Sequence, residues 1–214
     1  MIELIKRIKQ AIYFIYKTYI YSINKNEYGY FGENVTLQPP IINTNPQNVY
    51  LHDNVNIYGY STLIIDKASK FIIKKNSGCA QGLTVVTANH TTSPAIGKWH
   101  KEIYIDTTTD SSKDVIIEED VWIASHVTLL PGVVVGRGSI IGAGSVCRNS
   151  IPPYSIVLGN PARIIGFKFT PEEIIQHECA LYPECERLSL ETLERNYKKY
   201  YLNKIKDIAK YLKK

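Results

Sequence analysis

The chain has 214 residues and a mass of 24.3 kDa, enough for one sizeable core and too long to need staples. Hydrophobic residues make up 44% and charged residues 21%, which excludes a disordered chain. A net charge of +5 over this length is too mild for a nucleic-acid binder, so no nucleic-acid partner is expected.

Residues 1–24 come first. Ile5, Ile8, Ile12, Ile15 and Tyr19 recur at steps of three and four, which predicts a helix over 2–23. Its expected role is to cover the first coil of the domain that follows. The basic start at Lys6, Arg7 and Lys9, with aromatic residues from 13 to 21, leaves a membrane-surface helix as the alternative. No small-residue cleavage site follows an apolar run, so the segment does not read as a signal peptide. Lys17 interrupts the run 11–23, which argues against a spanning helix. A cytoplasmic location is therefore expected, with Cys79, Cys147, Cys179 and Cys185 reduced.

Residues 25–168 form the main domain, and its pattern is a repeat. From Ile117 the chain divides into IEEDVW, IASHVT, LLPGVV, VGRGSI, IGAGSV and CRNSIP. An aliphatic residue or cysteine opens each unit, and a small or β-branched residue holds the fifth place. A helix of 3.6-residue period cannot keep such a pattern on one face, and the glycines penalise it further. A coiled strand path can: each unit is a short strand and a turn, and three units close one triangular coil. The 43 Ile and Val residues suit such strands. The same register appears upstream at Phe31, Leu51, Ile57 and Ile65, where the step from 57 to 65 is eight. Between 91 and 114 the repeat breaks into a polar excursion that starts directly after His90.

Residues 169–214 read as a helical extension. Thr170-Pro171-Glu172-Glu173 is a helix start with a capping box. Ser189 caps a second helix, whose stripe is Leu193, Tyr197, Tyr200, Ile205, Ile208 and Leu212. Seven lysines fall in the last seventeen positions. They form either a solvated face or a contact with phosphates or anionic lipid.

VWIASHV at 121–127, LLPGVVVGRGSIIGAGSVC at 129–147 and GNPARIIG at 159–166 resemble the hexapeptide-repeat acyltransferases. The match is nearest to the maltose and galactoside acetyltransferase branch, including relatives that O-acetylate capsular or O-antigen sugars. It spans about residues 50–168. The resemblance implies a mainly β fold, a left-handed parallel β-helix with short helical extensions at both ends. It also implies a homotrimer with active sites between subunits, acetyl-coenzyme A as co-substrate, a sugar acceptor and no metal.

The resemblance makes His90 the general base. The chemistry agrees, because a sugar hydroxyl must lose its proton as it attacks. An imidazole with a pKa near ~6.5 is suited to take it. The leaving thiolate, of pKa about 8.5, needs little acid help. Asn89 either holds the acceptor, orients His90 or supplies a left-handed corner. Trp99 and His100, inside the excursion, are candidates to line the acceptor cleft. For the donor, the resemblance assigns Trp122 to the pantetheine path and Ser125 to the thioester end. It sets Ala143 and Gly144 beside the pantetheine arm and Arg163 at the nucleotide phosphates. Where the sugar acetyltransferases often carry Thr-Lys after GAGS-x-V, this chain has Arg148-Asn149, and Arg148 is the candidate replacement contact. Cys147 and His126 read as a core and a corner residue.

Three alternatives stand beside this reading. A γ-class carbonic anhydrase would use His90 and His126 as ligands, but its third ligand position is Pro131 here. An N-acetyltransferase on a nucleotide-linked amino sugar usually carries a preceding nucleotide-binding domain, for which residues 1–49 are too short. A non-catalytic β-helical module would show no thermal shift with coenzyme A.

Overall fold

The computed structural model describes residues 1–89, 96, 97, 99 and 112–213, the side chain of Ile2 excepted. Most of the excursion lies outside these residues, as do His90 and His100.

The hexads wind into a left-handed parallel β-helix with three faces. The first face stacks Tyr30–Phe31, Val49–Leu51, Phe71–Ile73, Val115–Ile117 and Val134–Val135. The second stacks Thr36–Leu37, Asn56–Ile57, Gly78–Cys79, Trp122–Ile123, Ile140–Ile141 and Ser155–Leu158, closed by Arg163–Phe167. The third stacks Ile41–Asn43, Ser61–Ile64, Thr84–Val86, Thr128–Leu129 and Val146–Cys147. All pairs are parallel except the last two strands of the second face, which form an antiparallel return. The repeat does not announce that return strand, because the hexad pattern ends before it.

The first and fifth hexad positions point inward, as the repeat requires. Ile117, Ile123, Leu129, Val135, Ile141 and Cys147 are buried, and so are Val121, Val127, Val133, Ser139, Ser145 and Ile151. The two polar members are satisfied. Ser139 donates to the Pro152 carbonyl at 3.0 Å and Ser145 to that of Gly142 at 2.7 Å. Each coil passes its backbone bonds to the next, so two-residue strands suffice. The eight-residue step has a simple origin. The six-residue register runs on from Ile57 to buried Leu63, the strand Ser61–Ile64 is extended, and Ile65 turns inward ahead of a widened corner at 66–70.

Left-handed backbone recurs in register along two edges. One stacks Asn34, Asn54, Asn76 and Asp120, with φ between +53° and +61°. Short amide side chains tolerate that region and bond along the stack. Asn34 donates to Asn54 at 3.2 Å, and Asn54 to Asn76 at 2.9 Å. The other edge carries Tyr60, Gly82, His126 and Gly144, so His126 is a corner residue.

The N-terminal segment departs from the expected continuous helix. α1 spans Ile2–Ile15, a wider turn follows over Tyr16–Ile20, and a tight turn over Tyr21–Ile23 ends it. Ser22 donates back to the Thr18 carbonyl at 2.6 Å, and both residues are buried beside the strand Ile41–Asn43. The inserted turn rotates the face, so residues 16–23 pack on the first coil. α1 does not cover it: Ile5, Ile8, Ile12 and Ile15 are all exposed. Tyr28 closes that end of the core instead. It is buried edge-on against Phe31, its hydroxyl donates to the Ser22 carbonyl, and burial pushes its pKa up to about 12.

At the other end, α2 spans Pro171–Leu181, with the Thr170–Glu173 capping box formed in both directions. α3 spans Leu190–Tyr200 with Ser189 as its cap. The expected single helix then breaks, and α4 runs from Ile205 to Leu212. The stripe already carries the reason, since Tyr200 to Ile205 is a step of five and leaves one helix face.

Candidate active site

The donor candidates occupy two consecutive coils of one edge. Trp122 lies on the second face, paired with Gly78 below and Ile140 above. A Cβ on Gly78 would stand 3.2 Å from the indole, so glycine lets that ring lie on the wall. The chain then turns through half-buried Ser125 into the third face. On the next coil Ala143 and Gly144 make the same turn, and the Gly144 N–H donates to the Ser125 carbonyl at 2.9 Å. Gly144 has φ +70°, and a Cβ there would meet nothing within 4 Å. The edge beside it is open. The Ser125 N–H has no hydrogen-bond partner among the described residues.

Arg148 and Arg163 meet elsewhere, in a groove of about 540 Å³ between the last coil and the C-terminal helices. Lys199, Lys204, Asp207 and Tyr211 are among its other polar lining residues. Four cations face one carboxylate, which suits a polyanionic ligand. Tyr211 reaches the coil because position 159 is glycine, where a Cβ would clash with the Tyr211 hydroxyl. The Arg163 guanidinium carbon lies 5.4 Å from the Tyr211 ring centre. Reading the sequence in order misses Lys199, Lys204 and Tyr211. The lysine-rich tail was the available signal, but it does not say which lysines turn towards the β-helix.

The acceptor candidates begin on a third edge. Thr87 is buried where the third face returns to the first. Its N–H donates to the Ile64 carbonyl at 3.1 Å, and its carbonyl accepts from Lys113 at 2.8 Å. Its hydroxyl accepts from Asp66 N and from Ser69. Ser112 donates to Asp66 at 2.8 Å. The excursion therefore leaves and re-enters at one pinned corner. Asn89 is exposed two residues beyond Thr87, and Trp99 is exposed as well. Within one protomer, Asn89 and the Ser125–Gly144 pair stand on different edges.

Two cysteines are core residues. Burial pushes the Cys79 thiol up to about 12 and that of Cys147 up to about 11. Neither is suited to act as a nucleophile near neutral pH. Alkylation of the native protein followed by mass spectrometry is expected to label exposed Cys179 and Cys185 and to spare these two. His177 packs between Tyr154 and Phe169, at 5.9 and 5.2 Å between ring centres, and reads as a packing residue.

A triangular parallel β-helix built from hexads, with an open small-residue edge and a cationic groove at its end, defines the hexapeptide-repeat transferase class. The family model "Bacterial transferase hexapeptide (six repeats)" matches residues 114–149, and this chain belongs to that family. The similarity falls in the galactoside O-acetyltransferase branch. The enzyme of that name from Lactococcus lactis subsp. lactis is 31% identical over 141 residues, covering 65% of this chain and 63% of the relative. That of Escherichia coli K12 is 32% identical over 144 residues, covering 67% and 66%. The chain thus spans slightly less than two thirds of either relative. A solved galactoside acetyltransferase in complex with coenzyme A superposes with a TM-score of 0.61 at 24% identity, covering 84% of this chain and 86% of that one.

Proposed function

We propose that this protein is an acetyl-coenzyme A-dependent O-acetyltransferase acting on a sugar hydroxyl, working in the cytoplasm in the building of a capsular or O-antigen polysaccharide. The observation that carries the reading is the open edge at Ser125 and Gly144, together with the cationic groove at the C-terminal end of the same β-helix. An extended thioester donor needs both: small residues beside its pantetheine arm and cations at its phosphates.

In this reading Trp122 and Ala143 flank the arm, and Arg148 and Arg163 bind phosphate. His90 takes the proton of the acceptor hydroxyl as its oxygen attacks the thioester carbon. The Ser125 N–H steadies the negative oxygen of the tetrahedral intermediate. Collapse breaks the carbon–sulfur bond, and the proton on His90 passes to the departing sulfur. No covalent enzyme intermediate is needed. Asn89, Trp99 and His100 are assigned to the acceptor. Because Asn89 and Ser125 stand on different edges of one protomer, the reading requires a neighbouring copy to complete each site, as in a homotrimer.

The test is thiol release from acetyl-coenzyme A with a panel of sugars, glycosides, amino sugars and polysaccharides. Release dependent on a hydroxyl acceptor supports the proposal. Release only with amino sugars would move the assignment to N-acetylation. No release together with no thermal shift from coenzyme A would leave a non-catalytic module. Separately, Arg163→Ala is expected to raise the Kd for coenzyme A roughly tenfold, the scale of one lost charge-assisted hydrogen bond. Isothermal titration measures it, and an unchanged Kd would remove Arg163 from the donor site.

A further inference from the structure

The apolar face of α1 has no partner among the described residues. Leu4, Ile5, Ile8, Ile12 and Ile15 are between 48% and 62% exposed. From Ala11 to Tyr16 every residue is apolar or aromatic, so the last turn of α1 is apolar on all sides. Tyr13 and Phe14 lie opposite the isoleucine stripe and are 61% and 57% exposed. Lys6, Arg7, Lys9 and Lys17 accompany the stripe with Glu3 as the only acid, and Glu3 is engaged by Arg7 at 3.6 Å.

Two kinds of occupant fit an isoleucine stripe: a helix from another copy, or a bilayer surface. The positions Ile5, Ile8, Ile12 and Ile15 do have the spacing of a coiled-coil seam. A helical partner would cover that seam alone and leave Tyr13 and Phe14 in water. Lys9 would flank the seam, and the flanking positions opposite it are Leu4 and Ala11, with no acid to pair. A bilayer surface has neither difficulty. Interfacial aromatic side chains sit at headgroup level, and the basic residues meet anionic headgroups. α1 has 14 residues, too short to cross a hydrocarbon core, so it lies in the surface.

We infer that α1 is a membrane-surface anchor that docks the protein on anionic lipid through its isoleucine face and its aromatic last turn. The inference does not depend on the catalytic reading.

The test uses the full chain and flotation with vesicles of phosphatidylcholine alone, or of equal parts phosphatidylcholine and phosphatidylglycerol. The wild type is expected to float with the anionic vesicles and to be released by high salt. Ile8→Asp/Ile12→Asp is expected to lose binding by roughly tenfold or more, since each change removes an apolar side chain that the bilayer would bury and adds a charge. Its melting temperature should be unchanged, because neither residue is packed in the fold. Absence of wild-type binding, or equal binding by the variant, would overturn the proposal. So would a lower molecular mass of the variant in solution without a change in flotation, which would assign the stripe to contacts between copies.

Discussion

His90→Ala is expected to lower acetyl transfer by about 10²–10⁴-fold, the usual contribution of a positioned base, with the Kd for coenzyme A unchanged. Although His90 lies outside the described residues, its approach does not. The strand Thr84–Val86 runs in the wall, and Thr87 is held by Ile64, Asp66, Ser69 and Lys113. Three residues later the chain carries an imidazole at the start of the excursion. In the proposed reading the donor is held by Trp122, Ala143, Arg148 and Arg163, which the change leaves intact, so the loss should fall on kcat and not on donor affinity. Steady-state thiol release, with titration of coenzyme A into the same variant, separates the two. A variant within a few fold of wild type would reassign the base.

Glu178→Ala is expected to destabilise the protein by about 3–5 kcal/mol, because it strands buried partners of a buried carboxylate. Glu178 is fully buried on α2. One oxygen accepts the Tyr154 hydroxyl at 3.0 Å and lies 3.7 Å from the Arg137 guanidinium. The other accepts the Leu188 N–H at 2.5 Å. Arg137 comes from a hexad corner and also donates to the Glu186 carbonyl at 2.9 Å. Tyr154 comes from the last coil, where burial and the neighbouring carboxylate hold its phenol well above the usual range, so it stays a donor. This one carboxylate therefore ties the helical extension to the end of the β-helix. For a chain of this size the melting temperature should fall on the order of 10 °C. Glu178→Gln, which keeps the shape and one of the two acceptor oxygens, should lose less. A loss under about 1 kcal/mol in the alanine variant, read by thermal denaturation, would show that the apolar cluster of Tyr154, Ile174 and Leu193 holds the extension without it.

Much of the fold was legible in the residues. The first and fifth hexad positions predicted the core, and from Ile117 to Ile151 every one of them is buried. The capping box at Thr170 and the cap at Ser189 stood in the sequence and formed where expected. Other features were not legible. The antiparallel strand Arg163–Phe167 follows no repeat, and only its pairing with Ser155–Leu158 reveals it. The N-terminal helix had the right period but the wrong partner. Periodicity marks an apolar face and does not say what covers it, and the buried Thr18 and Ser22 rotate that face away from the first coil.

The same division holds at the candidate site. Trp122, Ser125, Ala143 and Gly144 could be named because the family resemblance rests on contiguous motifs, VWIASHV and IGAGSVC, that contain them. Lys199, Lys204 and Tyr211 could not, because they reach the groove only after α3 and α4 fold back over the last coil. Local spacing dictates what a solenoid buries, since each coil contacts only its neighbours. Where a distant helix lands depends on packing across the chain. Here tertiary structure alone decided it, through Glu178 on α2 and Gly159 beneath Tyr211.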